Sequence, residues 1–460
     1  MNTKQLELEL RVPVILKFVM PSIIMMVILS LYTVVDGIFV SRLLGTTAFS
    51  AVNIVYPLLS LTIGLGTMFG SGVTSIISRK LGAGKQREAN ENFSLVIVSS
   101  TMIGLILSFG SLIFLPYIIR ILGADAQVYS YCYAYAFPII WFFTANILQF
   151  QFQNVYIADG KPHIGLYLTI AGGLTNIILD YIFIAKFQMG ISGVALATGI
   201  GYFLPMVYGI YYFMVKRTGT IRFVKPVWDG HVLMETISNG SSEMVSYLSA
   251  SVTTFLFNII MMSLIGSDGV AAVAIILYLD FILVAISMGY SIGIAPLISY
   301  HYGKGDYDKV RWLYRLSVGF TGCSGFLITA ITLLFTNELT GIFTQPHTQV
   351  AQLATLGLRL YALSYVTKGF NIFTSAMYTA LGNGRISAIL SFLRTFLFLS
   401  GFLILLSWLF GLLGVWIASP IAEAIAFLLA LRMNIREPIL HPYTQRKRHS
   451  KEECPDMTVE

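Results

Sequence analysis

Apolar segments of about twenty residues recur along the whole chain, separated by short connections that carry most of the charged residues. About twenty helical residues span the roughly 30 Å hydrocarbon core of a bilayer. The pattern therefore predicts an all-α integral membrane protein with about twelve transmembrane helices. The predicted spans are Val14–Val35, Ala51–Ile77, Phe93–Leu115, Tyr129–Tyr156, Ile164–Ile184, Ile191–Met214, Leu233–Leu264, Val270–Ser299, Leu316–Phe335, Val350–Met377, Ile386–Trp408 and Leu413–Leu431.

Composition supports a membrane protein over a soluble one. Of the 460 residues, 56% are hydrophobic and 11% are charged, with a mean hydropathy of +0.77. Soluble domains carry about 25% charged residues. The net charge of +7 would favour a nucleic-acid partner, but the basic residues are confined to short connections, so no such partner is predicted. Cys132, Cys323 and Cys454 are too scattered for a disulfide framework or a metal cluster.

The distribution of Lys and Arg predicts the topology. Alternate connections are basic, beginning with the amino-terminal segment and Arg79-Lys80 and ending with the tail that contains Arg446-Lys447-Arg448. The intervening connections hold few basic residues. Because cytoplasmic loops of membrane proteins carry an excess of Lys and Arg, both termini are expected in the cytoplasm.

The chain also repeats itself. Four places in the first half recur in the same order in the second half, at a shift of 221 or 222 residues. An even number of spans per half leaves the two repeats parallel in the membrane, which is typical of secondary transporters that rock around a central site. We expect an amino-terminal lobe at 1–215, a cytoplasmic linker at 216–230, a carboxy-terminal lobe at 231–435 and a cytoplasmic tail at 436–460. The matched glycines are Gly45 and Gly266, Gly84 and Gly305, Gly160 and Gly382, and Gly190 and Gly411.

The fifth predicted span contains a carboxylate. Asp180 at this depth would cost about 2.5–3.5 kcal/mol unless it faces a polar cavity, binds a cation or is protonated. Asn176 lies four residues earlier, so both side chains share one helix face and offer the oxygen ligands that suit a small cation or a proton. The alternative is a buried hydrogen bond between helices.

The fourth span has one polar face. Asn146, Gln149 and Gln153 are spaced i, i+3 and i+7, with Tyr133, Tyr135 and Trp141 nearby. These residues predict an amphipathic cavity for flat organic cations, with interhelical packing as the equal alternative. Met26 is a candidate for an adaptable pocket wall, although such residues more often face lipid or the core.

Five charged residues lie within the spans of the second half. Their opposite signs favour mutual pairing in a structural network, while a role in substrate binding or coupling stays open, above all for Asp280. They are Glu243, Asp280, Lys368, Arg394 and Glu423.

Sequence motifs argue against an enzyme. The chain contains no G-x-x-x-x-G-K-[ST], H-E-x-x-H or G-x-S-x-G motif, and its six His are dispersed. ATP hydrolysis and zinc or serine hydrolase chemistry are therefore disfavoured, and no cofactor is expected.

Together these residues resemble the multidrug and toxic compound extrusion (MATE) family, in particular its bacterial branch of MepA- and DinF-like transporters. In those relatives an Asp in helix one, an Asn and an Asp four apart in helix five, and a Thr in helix six form a cation-binding cluster. Asp36, Asn176, Asp180 and Thr198 occupy these places, and Pro21 matches a helix-one Pro associated with bending. This chain departs from many relatives in having Tyr181, where they have Pro after the helix-five Asp.

The resemblance implies a multi-pass antiporter of the bacterial cytoplasmic (inner) membrane. It would act as a monomer that exports amphipathic, cationic organic compounds and drugs in exchange for H⁺ or Na⁺, with the coupling ion held by Asp36, Asn176, Asp180 and Thr198. A lipid or lipid-linked precursor flippase of the same superfamily is the alternative. A membrane-embedded transferase is a third possibility, but the acid or His cluster that it needs at one membrane face is not found in the sequence.

Overall fold

The computed structural model describes residues 6–7, 9–216, 218–345 and 347–440. Most of the predicted tail, including Arg446, lies outside the described residues, as does Arg217 of the linker. Within the described ranges every regular element is helical. The prediction of an all-α membrane protein is confirmed.

The first lobe contains six spans. Backbone hydrogen bonding is continuous from Val12 to Gly82, but Gly45 has φ 86° and ψ 178° and divides this stretch into two spans. The fourth span is itself divided into two helices. The spans are α1 (Val12–Gly37), α2 (Thr47–Gly82), α3 (Gln86–Ile121), α4a (Tyr129–Ile140), α4b (Phe143–Ala158), α5 (Pro162–Lys186) and α6 (Gly190–Lys216).

The second lobe repeats this order. A short helix, Thr336–Gly341, precedes its fourth span, which a 3₁₀ turn at Ala362–Ser364 divides. The spans are α7 (Gly230–Leu264), α8 (Ser267–Lys304), α9 (Tyr307–Leu334), α10a (Gln349–Tyr361), α10b (Tyr365–Ala380), α11 (Gly384–Phe410) and α12 (Leu412–Arg436).

The fourth span of each lobe differs from the single helix that hydropathy predicts. Ten helices are long and apolar enough to cross a membrane, and the pair α4a and α4b, bent by 56°, makes an eleventh span. Pro138 lies three residues before that bend and lacks the backbone N–H of a regular turn. The twelfth span, formed by α10a and α10b, is more polar and breaks at the equivalent place, since Phe143 and Tyr365 are 222 residues apart.

The repeat extends to backbone conformation. Each matched glycine pair takes nearly the same positive φ, a region in which other L-residues are strained. Nearly equal φ values at a shift of 221 or 222 residues show that the two halves share one sequence of turns as well as one sequence pattern. The pairs are Gly45 (86°) and Gly266 (93°), Gly84 (77°) and Gly305 (78°), Gly160 (75°) and Gly382 (79°), and Gly190 (58°) and Gly411 (57°).

The lobes meet through α1 against α8 and α2 against α7. At the end of the bundle that carries Arg79 and Lys304, here called the basic end, a Cβ on Gly82 would collide with the carbonyl group of Tyr300. A Cβ on Gly303 would likewise collide with the carbonyl group of Arg79. Adding 221 to 82 and 79 gives 303 and 300, so these two contacts are related by the repeat. Close backbone approach of this kind is what small residues allow between membrane helices.

Ion pairs and the amino-terminal segment reinforce this contact. Arg79 Nη2 lies 2.5 Å from Glu235 Oε1 across the lobe boundary. Lys304 of α8 pairs with Glu7, and the neighbouring Leu6 is buried in the core. The two lobes are therefore joined at the basic end by backbone contact and by two ion pairs.

The segment after α6 is fastened to the first lobe. Asp159, in the turn between α4b and α5, accepts hydrogen bonds from Tyr212 Oη at 2.7 Å and from the backbone N–H groups of Thr220 and Ile221 at 2.7 and 3.0 Å. Burial raises the pKa of the Asp159 carboxyl despite these bonds. Val224 N donates to Ser94 Oγ at 2.9 Å. Residues 220–224 thus pack as part of the first lobe.

Candidate functional site

Helices α1, α5 and α6 bring the four predicted cluster residues together. Asn176 and Asp180 lie on successive turns of α5, and Asn176 Nδ2 donates to Thr198 Oγ1 of α6 at 3.3 Å. The carboxyl groups of Asp36 and Asp180 are within hydrogen-bonding reach of each other. The four residues that the family resemblance selected from three helices therefore form one contiguous group.

The cluster is buried and short of hydrogen-bond donors. Asp180 is 1% exposed, Asn176 2% and Thr198 5%. Buried Oδ1 atoms of Asp36, Asn176 and Asp180 receive no hydrogen bond from any described residue. No ion pair with a basic side chain of the described ranges reaches either carboxyl. Two adjacent carboxylates without a basic partner repel each other, so the arrangement requires a shared proton or a bound cation.

The chemistry of the donor set suits a small hard cation as well as a proton. Carboxylate and amide oxygens are the ligands preferred by such ions, and Asp36, Asn176 and Asp180 supply all three unsatisfied oxygens. Among the described residues, no three His, Cys, Asp or Glu side chains gather as they would around a tightly held metal ion.

Three tyrosines surround the carboxyl pair, and the sequence argument did not select two of them. Tyr32 and Tyr202 lie beside each other, and Tyr135 is 2% exposed and close to both acids. Tyr32 precedes Asp36 by four residues, and Tyr202 follows Thr198 by four. The i, i+4 spacing that linked Asn176 to Asp180 would also have found these two.

A small cavity, with room for about one water molecule, adjoins the cluster inside the first lobe. Asn176 and Thr198 line it together with Tyr32, Gln149 and Tyr202. The cavity wall is therefore polar where Asn176 and Thr198 contribute to it, and the cavity has room for water beside Asn176.

The three amides of the fourth span point into the lobe, but their hydrogen bonding differs. Asn146 Nδ2 donates to Thr62 Oγ1 at 3.2 Å, and Gln153 Nε2 donates to Thr169 Oγ1 at 2.9 Å. These two bonds join neighbouring helices, as the packing alternative predicts. Gln149 lines the cavity and keeps a buried Oε1 that receives no hydrogen bond from the described chain.

The aromatic residues expected beside these amides lie elsewhere. Tyr133 is 39% exposed and stacks on Phe137, while Trp141 is 56% exposed and meets the edge of Phe109. The bend between α4a and α4b separates their faces from the face that carries the amides, which corrects the predicted grouping. Met26 is 4% exposed and packs in a small apolar cluster with residues of both lobes.

One charge pair dominates the second lobe. Lys368 Nζ donates to both carboxylate oxygens of Asp280, at 2.7 and 2.9 Å. The same ammonium lies 5.2 Å from the ring centroid of Tyr361 and 5.8 Å from that of Tyr365, within cation–π range. Asp280 is therefore neutralised by a basic partner, as mutual pairing predicts.

The other charges of the second lobe are not paired in this way. Glu423 accepts a hydrogen bond from Asn371 Nδ2 at 2.7 Å. Glu243 and Arg394 interact electrostatically but form no ion pair within 4.0 Å in the described structure, and Arg394 Nη1 is buried without a hydrogen bond. Mutual pairing thus accounts for Asp280 and Lys368 but not for Glu243, Arg394 or Glu423.

Comparison with known proteins identifies the family. The family model MatE matches residues 21–182 and 244–400. The multidrug export protein MepA of Staphylococcus saprophyticus is 26% identical over 419 residues, covering 90% of this chain and 91% of that protein. MepA of Staphylococcus aureus is 27% identical over 421 residues, with coverage of 90% and 91%.

Solved structures share the fold over almost the whole chain. A crystal structure of MATE in the straight conformation has a TM-score of 0.88 at 23% identity and covers 94% of this chain and 98% of its own. An outward-facing multidrug resistance MATE family transporter of the MOP superfamily has a TM-score of 0.86 at 24% identity, with coverage of 92% and 95%. Since the family model matches more than half of the chain, the protein belongs to the MatE family, whose members are multidrug efflux transporters and not enzymes.

Proposed function

We propose that the protein is a secondary antiporter that exports amphipathic, cationic organic compounds in exchange for H⁺ or Na⁺ bound at Asp36, Asn176, Asp180 and Thr198. The observation that carries the proposal is the closeness of the Asp36 and Asp180 carboxyl groups, each with a buried Oδ1 atom, with no basic partner among the described residues. The names of the curated relatives, multidrug export proteins, support the export of drugs.

Exchange follows from competition for the same oxygens. A proton shared by the two carboxyl groups removes their repulsion, and a Na⁺ ion would do so while also using Asn176 Oδ1. The ion enters from outside, where its gradient drives it inward, and leaves toward the cytoplasm. Its binding and release change the charge between α1 and α5, and they shift the equilibrium between the two packings of α1 by the difference in the ion's affinity for them.

Helix α1 connects this charge change to the lobe boundary. Pro21 lies within α1 and removes one backbone hydrogen bond, which lowers the cost of bending the helix there. The adjacent Ser22 and Ile23 lie against Gly289 of α8, where an added Cβ would contact their backbone. A bend of α1 at Pro21 therefore moves a surface that touches the second lobe.

We further propose that the protein acts as a monomer in the bacterial cytoplasmic membrane with both termini in the cytoplasm. The alternation of basic and non-basic connections supports this orientation. In this orientation the basic end, where the lobes are joined, faces the cytoplasm.

The test is efflux of ethidium from proteoliposomes under an imposed pH gradient or an imposed Na⁺ gradient. We expect one gradient to drive efflux by the native protein and Asp180→Asn to reduce it to the rate without a gradient. Asp308→Asn, which changes a carboxylate whose side chain is 91% exposed, is the matched control and should transport normally. Gradient-driven efflux by Asp180→Asn at the native rate would refute the proposed ion site. Absence of efflux under both gradients, together with lipid translocation, would favour the flippase alternative.

A further inference from the structure

The contact between the lobes at the basic end has to open during transport. An added Cβ on Gly82 or Gly303 would meet a carbonyl group of the other lobe, so the backbones of α2 and α8 touch there. Ser75 Oγ of α2 also donates to the carbonyl oxygen of Thr379 of α10b, at 2.7 Å. A transporter built of two parallel repeats rocks its lobes and exposes its centre to each side in turn. The basic end must therefore separate once in every cycle.

Two residues ahead of α1 tie the first lobe to the second. Leu6 is 3% exposed and belongs to an apolar core cluster to which both lobes contribute. Glu7 accepts a hydrogen bond from Lys304 Nζ, in the last turn of α8. The chain continues from these residues into α1 of the first lobe, so this segment crosses the lobe boundary. Leu6 and Glu7 are here called the amino-terminal latch.

The repeat does not duplicate the amino-terminal latch. A shift of 221 places Val227 and Trp228 where the latch stands, and it places Ala83 where α8 has Lys304. Val227 is 55% exposed and Trp228 is 78% exposed, so the corresponding segment of the second half is not buried at the boundary. None of these three residues carries a charge. The latch is therefore an addition to the first lobe and not a consequence of the repeated fold.

The latch is suited to a contact that is broken repeatedly. The side chains of Glu7 and Lys304 are 38% and 39% exposed, and water and salt screen an ion pair of this kind. Separation of α1 from α8 at the basic end has to break this ion pair or withdraw Leu6 from the core. Neither step unfolds a helix, because both latch residues precede α1.

We infer that the amino-terminal latch holds the basic end closed and that its release lets the lobes separate there. After release, the latch moves with α1 and the first lobe, while Lys304 stays with the second lobe. The ion pair of Arg79 with Glu235 crosses the same boundary and breaks in the same movement. The inference concerns the conformational cycle and does not depend on which ion or substrate is transported.

The first test measures opening of the basic end without transport. The three native cysteines are replaced by Ala, and Ser75→Cys is added as a reporter, because Ser75 is 3% exposed and bonded across the boundary. Glu7→Gln should increase the rate at which a maleimide alkylates this cysteine by about 1.5- to 5-fold, the range for loss of an exposed ion pair. Leu6→Ala should increase the rate further, because it removes apolar contact from the core.

Two controls separate the latch from general damage to the fold. Glu9 pairs with Arg11 of the same segment and its side chain is 72% exposed, so Glu9→Gln should leave the alkylation rate unchanged. Lys304→Glu alone places two acids together and should increase the rate, whereas its combination with Glu7→Lys should restore the native rate. Thermal unfolding of each variant shows whether it is folded.

The second test prevents release of the latch. Glu7→Cys and Lys304→Cys, in the cysteine-free background, are joined by a short bis-methanethiosulfonate reagent, which forms a disulfide with each thiol and is removed by reductant. Cross-linking should abolish ethidium efflux from proteoliposomes, and reduction should restore it. The matched control is Lys80→Cys with Glu88→Cys, because the native side chains pair at 3.1 Å within the first lobe. The same cross-link there should leave efflux unchanged.

The outcomes separate this inference from the proposed function. Native alkylation rates in folded Glu7→Gln and Leu6→Ala variants would overturn the latch, as would full efflux by the cross-linked protein. Equal inhibition by the control cross-link would overturn the assignment of the block to the latch. Faster alkylation in the latch variants, with no efflux of the native protein under either gradient, would support the latch and count against antiport.

Discussion

In the first lobe, the carboxyl groups of Asp36 and Asp180 are buried together without a basic partner from the described chain, whereas in the second lobe Asp280 is held by Lys368. Both lobes have the same order of helices and the same positive-φ glycines. The difference therefore lies in side chains and not in backbone design.

The repeat shows how side chains produce this difference. A shift of 221 places Phe257 where the first lobe has Asp36, and Gly401 where it has Asp180. The same shift places Arg394 opposite Gly173, which lines the first-lobe cavity. In the second lobe, basic side chains lie among the acids. In the first lobe, only a proton or a cation from solution can compensate the charge of the carboxyl pair. One scaffold thus holds an acid pair without a basic partner among the described residues in its first lobe and the ion pair of Asp280 and Lys368 in its second.

The largest expected effect is on coupling in the first lobe. Asp36→Asn and Asp180→Asn should each reduce efflux to the rate measured without a gradient. The double variant should transport no more slowly than either single variant, because the effects of mutating two groups that act as a unit do not add. Neither change should lower thermal stability, since each removes a buried carboxylate that lacks a basic partner. Efflux assays and thermal unfolding of the same preparations test both statements, and a large loss of stability would mean that the pair is structural.

The second lobe should show the opposite response. Lys368→Met or Asp280→Asn alone leaves a partly buried charge without its partner and should destabilise the protein by up to about 3–5 kcal/mol, whereas the double variant should recover most of that loss. A double-mutant cycle based on unfolding measurements gives the coupling directly. Additive losses of stability would show that the two residues do not act as a pair. Loss of gradient-driven efflux in a stable double variant would show that the second lobe also takes part in ion coupling.

The contact at the basic end tests what the lobes share. Gly82→Ala and Gly303→Ala should have similar effects, each costing about 1–3 kcal/mol, because a methyl group at either position collides with a carbonyl of the other lobe. Gly319 of α9 has no atom within 4 Å of an added Cβ, so Gly319→Ala is the matched control and should be neutral or stabilising. Unequal losses for Gly82 and Gly303 would show that the interface is not symmetric.

The smallest effect is expected at Glu7. The hydrogen bond from Lys304 and its charge lower the pKa of the Glu7 carboxyl below its ordinary value of 4.5. A carboxyl with a lowered pKa contributes stability above its unfolded pKa and loses it as the pH falls through the folded pKa. The difference in thermal stability between native protein and Glu7→Gln should thus be small and constant above about pH 5 and should vanish in more acidic buffer. A difference that persists in acid would contradict this.

Much of the fold and part of the site follow from sequence. Hydropathy located the spans, and the four glycine pairs established a parallel repeat, because both depend on local chemistry. Asp180 was conspicuous because acids are rare in apolar spans, and Asn176 followed from its i, i+4 spacing, whereas Asp36 and Thr198 were recognised through the resemblance to MATE transporters. Tyr32 and Tyr202 were overlooked because tyrosine is common in such spans and gives no such contrast.

The sequence by itself determined that this is a two-lobed membrane transporter with a carboxylate pair inside its first lobe, because burial in a bilayer restricts composition and helix length so strongly. Only the tertiary structure decided which polar residues act together. It separated Trp141 from Gln149 by a bend, paired Lys368 with Asp280 and brought Tyr278 against Gly37 across the lobe boundary. The physical reason is that contacts between distant helices depend on helix rotation and on bends, which periodicity along a single helix does not record.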